Sequence, residues 1–185
     1  MDIRKITNTV IIFTINRLIE IGAIIIFSLG IFLFISLISY SPEDPNFIFP
    51  ENTEITNILG SQGSFISDLF LQSIGFISYL IPITLVVTGI NIFRGKDFFL
   101  IIENIFFTII YTLFGTLFIS HYYTDAFTLF INGNGGFVGS FLENTFLKNL
   151  IFINEKLFYF FLILIVTLFF LISINFRPKR FYLFL

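Results

Sequence analysis

From Phe65 to Phe93 the chain runs for 29 residues with a single charge, Asp68. As a helix that run is about 43 Å long, more than the roughly 30 Å of a bilayer's hydrocarbon core. Arg94 and Lys96 follow at once. A polar approach containing Asn57, Gly60 and Gly63 precedes it. An aqueous approach, one crossing and a basic stop therefore lie side by side, and the remaining apolar runs are placed relative to them.

Composition agrees. Only 12% of the residues are charged, against about 25% in soluble domains, and the mean hydropathy is +0.97. So few charges cannot cover the surface of a soluble chain this long. The class is an integral membrane protein. The absence of Cys excludes disulfides, thiolate metal sites and Cys nucleophiles. With 30 Phe and no Trp, a pattern that reads as A/T-rich codon bias, Phe and Tyr must fill the interfacial belt.

Three further runs complete the set. Ile19–Ser39 is the first span, Phe98–Ile119 the third and Leu157–Ile174 the fourth, with the second over 65–93. The expected fold is an all-α bundle of four transmembrane helices. Residues 1–17 form an N-terminal cytoplasmic or interfacial segment, 18–176 the four-span domain, and 177–185 a basic end that is either the start of a linker or a truncation. In the first segment, Ile3, Ile6, Val10 and Phe13 recur at helical spacing. That fits either an amphipathic helix lying on the membrane or a helical lead-in to the first span. A signal peptide does not fit, because the apolar run is too long and lacks a cleavage site.

Orientation follows from Lys and Arg. Arg4, Lys5, Arg17, Arg94, Lys96, Arg177, Lys179 and Arg180 share one side of a four-span chain, and only Lys148 and Lys156 take the other. The positive-inside rule places both termini in the cytoplasm and the two longer loops outside. The first loop is acidic, with Glu43, Asp44, Glu51 and Glu54. Glu43 and Asp44 read as a solvated turn rather than a cation site, since no ligand spacing follows. The second loop holds Gly133, Gly135, Gly136 and Gly139. It reads as a flexible glycine turn with no stable helix at its front. Phe141, Leu142, Phe146, Leu147 and Leu150 then form a short amphipathic helix on the outer leaflet.

Two features point to helix contacts. Pro82 lacks an N–H, so a kink is expected there, facing a neighbouring helix. Pro82→Ala should then leave insertion intact and weaken bundle assembly. Thr108, Thr112, Thr116 and Ser120 recur every four residues on one face. Either they touch another helix, or each hydroxyl bonds its own carbonyl one turn back.

Chemistry finds little support. Glu20, Asp68 and Glu103 lie near span ends, and no ionisable group sits mid-membrane, which argues against an ion-coupled transporter. Gly89 to Asp97 reads GINIFRGKD, with one residue too many for a P-loop and an acid where Ser or Thr is needed. The second-loop glycines do not make a dinucleotide site, because no β-strand precedes them. His121, the sole histidine, has neither Cys nor a second His for a metal site or triad and reads as interfacial. No catalytic, cofactor or metal residue is assigned.

The motif order is more specific than any single motif. Ser41-Pro42-Glu43-Asp44-Pro45 follows the first span. Asn57, Gly60 and Gly63 precede a span carrying Asp68, Gly75 and Pro82. Asn132, Asn134, Gly135, Gly136 and Gly139 precede the last span. Over about residues 18–180 this resembles the N-terminal four-span domain of the FtsK/SpoIIIE family of bacterial DNA translocases. The resemblance implies an inner-membrane protein at the division septum. It would anchor a DNA-pumping ATPase, form homo-oligomers and contact other septal membrane proteins. Family motors carry Walker motifs and a winged-helix DNA-reading domain. Neither is found in these 185 residues, so no ATP-binding or DNA-contacting residue carries over. Asn57, Gly60, Gly63, Pro82, Gly135, Gly136 and Gly139 are expected to be structural. Asp68, Thr108, Thr112, Thr116 and Ser120 join them as structural or interaction candidates. A small four-helix transporter or channel subunit is the alternative.

Overall fold

The computed structural model describes residues 3–45, 54–95, 97–124, 132–145 and 154–176, with side chains from Thr7 onward. The described residues contain helices and no strand. In chain order they are α1 (Ile3–Ile38), α2 (Gly60–Ile74), a 3-10 segment (Gly75–Tyr79), α3 (Leu80–Gly95), α4 (Leu100–Tyr122), α5 (Gly136–Glu143) and α6 (Glu155–Ser173). Four stretches are long and apolar enough to cross a membrane: Thr7–Ile38, Gly60–Gly95, Leu100–Tyr122 and Glu155–Ser173. The chain is an all-α, four-span membrane protein.

Helix α1 runs uninterrupted from Ile3, so residues 3–17 continue into the first span as a helical lead-in. It packs mainly against α3. A methyl group added at Gly30 would lie 2.9 Å from the Val86 amide, and one at Gly89 would lie 2.8 Å from the Ala23 carbonyl oxygen. Small residues thus bring the two backbones together where apolar burial gives no advantage over lipid. The other main pairing, α4 with α6, is aromatic. Phe107 stacks on Phe169, and Tyr111 meets Phe170 edge-on.

Two buried clusters hold the bundle: Leu33, Leu37 and Leu71 between α1 and α2, and Leu117 with Leu162 between α4 and α6. Few other large apolar side chains are covered. Phe160, Leu164 and Leu168 of α6, and Ile21, Ile25 and Leu29 of α1, face outward. That inverts the pattern of a soluble domain and presents apolar surface to lipid.

The second stretch departs from expectation. Its helix begins at Gly60, not near Phe65, and breaks at Gly75–Tyr79, ahead of Pro82. Pro82 lies in the first turn of α3, where a helix does not use its backbone N–H groups. The break belongs to Gly75, whose φ is +63°. Contacts across it differ as well. Gly63, Asp68 and Leu71 of α2 meet Ser36 and Leu37 of α1 and Tyr40 just past its end, without advancing along that helix. By contrast, Val86 and Gly89 of α3 meet Gly30 and Ala23 in antiparallel order. The 3-10 segment and α3 together reach about 34 Å, enough for the crossing. Helix α2 is left crossing the end of α1.

Candidate functional site

The described parts of both polar loops lie at one end of the bundle, and each is fastened to a helix there. The first uses side-chain hydrogen bonds. Asp44, expected as part of a solvated turn, is 1% exposed. Its carboxylate accepts from the Thr56 N–H (2.8 Å), the Thr56 hydroxyl (2.7 Å) and the Asn57 N–H (2.9 Å). Three donors replace the lost water, which is what burying a carboxylate requires. Glu43 stays exposed, as expected.

Asn57 extends this clamp to α1. Its amide donates to the carbonyls of Ser36 (3.0 Å) and Ser39 (3.2 Å). Both carbonyls lie in the last turn of α1 or just past it, where helical partners run out. The Asn57 side-chain oxygen accepts from the Leu59 N–H at 3.1 Å. Its carbonyl accepts from the Gly60 N–H at 2.9 Å, which starts α2. Gly63 lies under this amide, so a Cβ there would collide with Asn57 Oδ1. The Ser36 hydroxyl donates to the Gly63 carbonyl, and the Ser64 hydroxyl to Pro45. One turn on, buried Asp68 accepts from the Tyr40 hydroxyl at 3.3 Å. Burial, followed by the Asp68 carboxylate, pushes the Tyr40 pKa up to about 12.

The glycine loop is fastened by absent side chains. It is not a free turn: Gly135, Gly136 and Gly139 are buried, and α5 begins within the glycines at Gly136. Gly75 and Gly136 both have positive φ, +63° and +66°. They face each other, and a Cβ on Gly136 would lie 2.5 Å from the Gly75 amide nitrogen. A Cβ on Gly75 would run into the Asn134 carbonyl. That carbonyl accepts from the Phe76 N–H at 3.0 Å, restoring a partner lost at the helix break. The loop thus docks into the break in the second stretch. Its other side rests on α4, where methyl groups at Gly135 or Gly139 would each lie 2.5 Å from the Thr116 carbonyl oxygen. Asn134, 2% exposed, donates to the Tyr123 and Thr124 carbonyls at 2.6 and 3.1 Å. The Asn132 amide donates to the Gln72 carbonyl at 3.2 Å.

The Thr108-to-Ser120 row divides between its two readings. Thr108 bonds its own Asn104 carbonyl (2.7 Å) and Thr116 that of Leu113 (2.9 Å). Thr116 and Ser120 nonetheless form the surface that receives the glycines, and the Ser120 hydroxyl donates to Glu143 at 3.0 Å. Thr112 is buried, and its hydroxyl has no hydrogen-bond partner among the described residues. The other Glu143 oxygen lies 3.2 Å from His121 Nδ1. The carboxylate sits between Ser and His, so His121 cannot deprotonate Ser120 as a triad would. Asp125, four residues on from His121, lies outside the described residues, as do Phe146, Leu147 and Leu150.

Sequence reading passed over a second polar layer at the opposite end. Asn104, 2% exposed, donates to Thr88 (2.7 Å) and accepts from Asn175 (2.8 Å). Nearby, Thr84 meets the Tyr111 hydroxyl at 3.0 Å and Ser173 at 3.3 Å. These bonds tie α3, α4 and the end of α6. An Asn inside an apolar run was the available signal, since its amide needs partners in lipid.

Motif order and spacing, the docked glycine loop and the four-span bundle converge on one family. The family described as the 4TM region of DNA translocase FtsK/SpoIIIE matches residues 16–177. The chain belongs to that family. It is 29% identical over 164 residues to the DNA translocase FtsK of Rickettsia typhi, covering 85% of this chain and 21% of that protein. The DNA translocase FtsK of Rickettsia prowazekii is 30% identical over 88 residues, 46% of this chain and 12% of its own length. That of Shewanella oneidensis is 34% identical over 80 residues, 43% and 9% respectively. The chain therefore spans about a fifth or less of the curated relatives it matches. No solved structure matches it. The matched part is the membrane region of an FtsK-type translocase, not its motor, and the family with its four apolar stretches makes this a multi-pass inner-membrane protein.

Proposed function

We propose that this chain is the membrane anchor and oligomerisation domain of a DNA translocase acting at the bacterial division septum. The observation that carries the proposal is the match to the FtsK/SpoIIIE membrane region across residues 16–177. In this reading both termini are cytoplasmic, as the lysine and arginine distribution favours. The acidic and glycine loops face outward. Their fastening gives other septal membrane proteins a fixed surface, with exposed Phe137 and Phe141 at its edge. The role is non-catalytic, needs no cofactor and involves no nucleic-acid contact by these residues.

The transporter or channel alternative loses support. The Thr108-to-Ser120 hydroxyls, which a solute path could use, are mostly engaged in internal bonds, and the second stretch bends to receive a loop rather than a solute. The test is the full chain fused to a fluorescent protein in a dividing bacterium. Signal concentrated at mid-cell is the expected result. An even distribution around the envelope would overturn the septal reading. Ion flux from liposomes holding the purified chain would revive the alternative.

A further inference from the structure

A groove of about 440 Å³ runs between α1 and α3 at the end opposite the loops. That is within the size range of ligand clefts, about 300–1,000 Å³. Ala23 and Gly89, where the helices touch, form its floor, and Ile24, Phe27, Ile90 and Phe93 its walls. Arg94 is the only charged lining residue among those described. Its side chain has no hydrogen-bond or ion-pair partner among the described residues. Among the described residues, Glu20 at this end of α1 pairs with Arg17, and Asp97, three residues on from Arg94, accepts from the Phe99 N–H.

We propose that this groove is a binding site for an anionic phospholipid, with one acyl chain between α1 and α3 and the phosphate on Arg94. An apolar furrow ending in a cation matches an amphiphile with an apolar tail and an anionic head. Because Arg94 closes a membrane-crossing helix, its guanidinium reaches the headgroup layer while its stem stays against apolar surface. A second copy fits less well. Packed symmetrically about the membrane normal, it would bring another Arg94 to the same depth and set like charge against like.

The test uses the purified full chain in detergent and measures binding of phosphatidylglycerol and phosphatidylcholine by native mass spectrometry. Phosphatidylglycerol should bind about fivefold more tightly, the ratio expected from about 1 kcal/mol per basic residue at an anionic surface. Arg94→Gln should bring it to the phosphatidylcholine level. Ile90→Trp, which fills the groove, should weaken both lipids by about tenfold. Phe93→Leu, which keeps the groove but thins one wall, should weaken both less. Circular dichroism establishes that each variant is folded. If Ile90→Trp does not fold, Ile24→Trp fills the groove from the α1 side. Equal binding of both lipids by the wild type would overturn the proposal. So would a headgroup preference that survives Arg94→Gln, or unchanged lipid binding with the groove filled. A groove-filling variant that dissociates an oligomer while keeping its lipid would assign the groove to a second copy instead.

Discussion

The acidic loop and the glycine loop solve the same problem in opposite ways. Each must hold a polar connection against helices at one end of an apolar bundle. The acidic loop does it with added side chains, as Asp44 and Asn57 reach backbone groups that have no helical partner. The glycine loop does it by leaving side chains out, so that main chain meets main chain at Gly75 and Gly136. A side-chain clamp can be weakened in steps, because each hydrogen bond is separate. A backbone dock fails abruptly, because one carbon atom fills the space.

The largest effect is expected in the dock. Gly136→Ala forces a left-handed backbone and places Cβ 2.5 Å from the Gly75 nitrogen. Left-handed strain and overpacking together give a loss of roughly 3 kcal/mol or more. Gly133→Ala has a similar φ, +74°, but open space around the added methyl, so it should cost only about 1 kcal/mol. Thermal unfolding in micelles would compare the two. Equal losses would mean that close approach contributes nothing and that the dock is only a tight turn.

The clamp should respond by degrees. Asp44→Ala strands three donors and should destabilise by about 2–3 kcal/mol. Asp44→Asn should fall between it and wild type, while Glu43→Ala, next door and exposed, should be within about 0.5 kcal/mol. If Asp44→Ala proves as mild as Glu43→Ala in the same unfolding assay, the clamp is not a fastening point. Pro82→Ala should change stability by less than about 1 kcal/mol, because Pro82 occupies a first turn and the break belongs to Gly75. A larger loss would return the break to the proline and weaken the case for the dock.

The smallest effect is spectroscopic. Tyr40 is held neutral by burial and by Asp68, with its pKa pushed up to about 12 from 10. A raised pKa means that its contribution is fully present below pH 10 and is lost as pH rises through about 12. The tyrosinate absorbance difference between wild type and Tyr40→Phe should therefore titrate near pH 12. A midpoint near 10 would detach Tyr40 from the clamp.

The fold class was readable because lipid makes a simple demand. A long apolar run with no charge at its centre has few soluble solutions, and four such runs separated by polar loops make four spans. The glycine and asparagine motifs were also visible, and their order was enough to recognise the family. Their partners were not. Nothing near Asn134 in the chain indicates that its carbonyl meets Phe76, because that contact depends on how two spans cross. Asp44 looked like any acid in a turn beside Glu43. Only the fold shows that Thr56 and Asn57 return to it. Pro82 looked like the cause of a bend, since proline is a local signal, whereas a glycine break needs a docked partner to justify it.

The order of its motifs was enough for the family, while local composition alone determined that the chain lives in a membrane and roughly where it crosses. Those properties depend on the run of residues along one segment against a uniform apolar solvent. Tertiary structure decided which acid is buried, where the second stretch breaks and what fills the break. These depend on hydrogen-bond partners and steric gaps supplied by residues from 12 to about 60 positions away, and no segment carries them by itself.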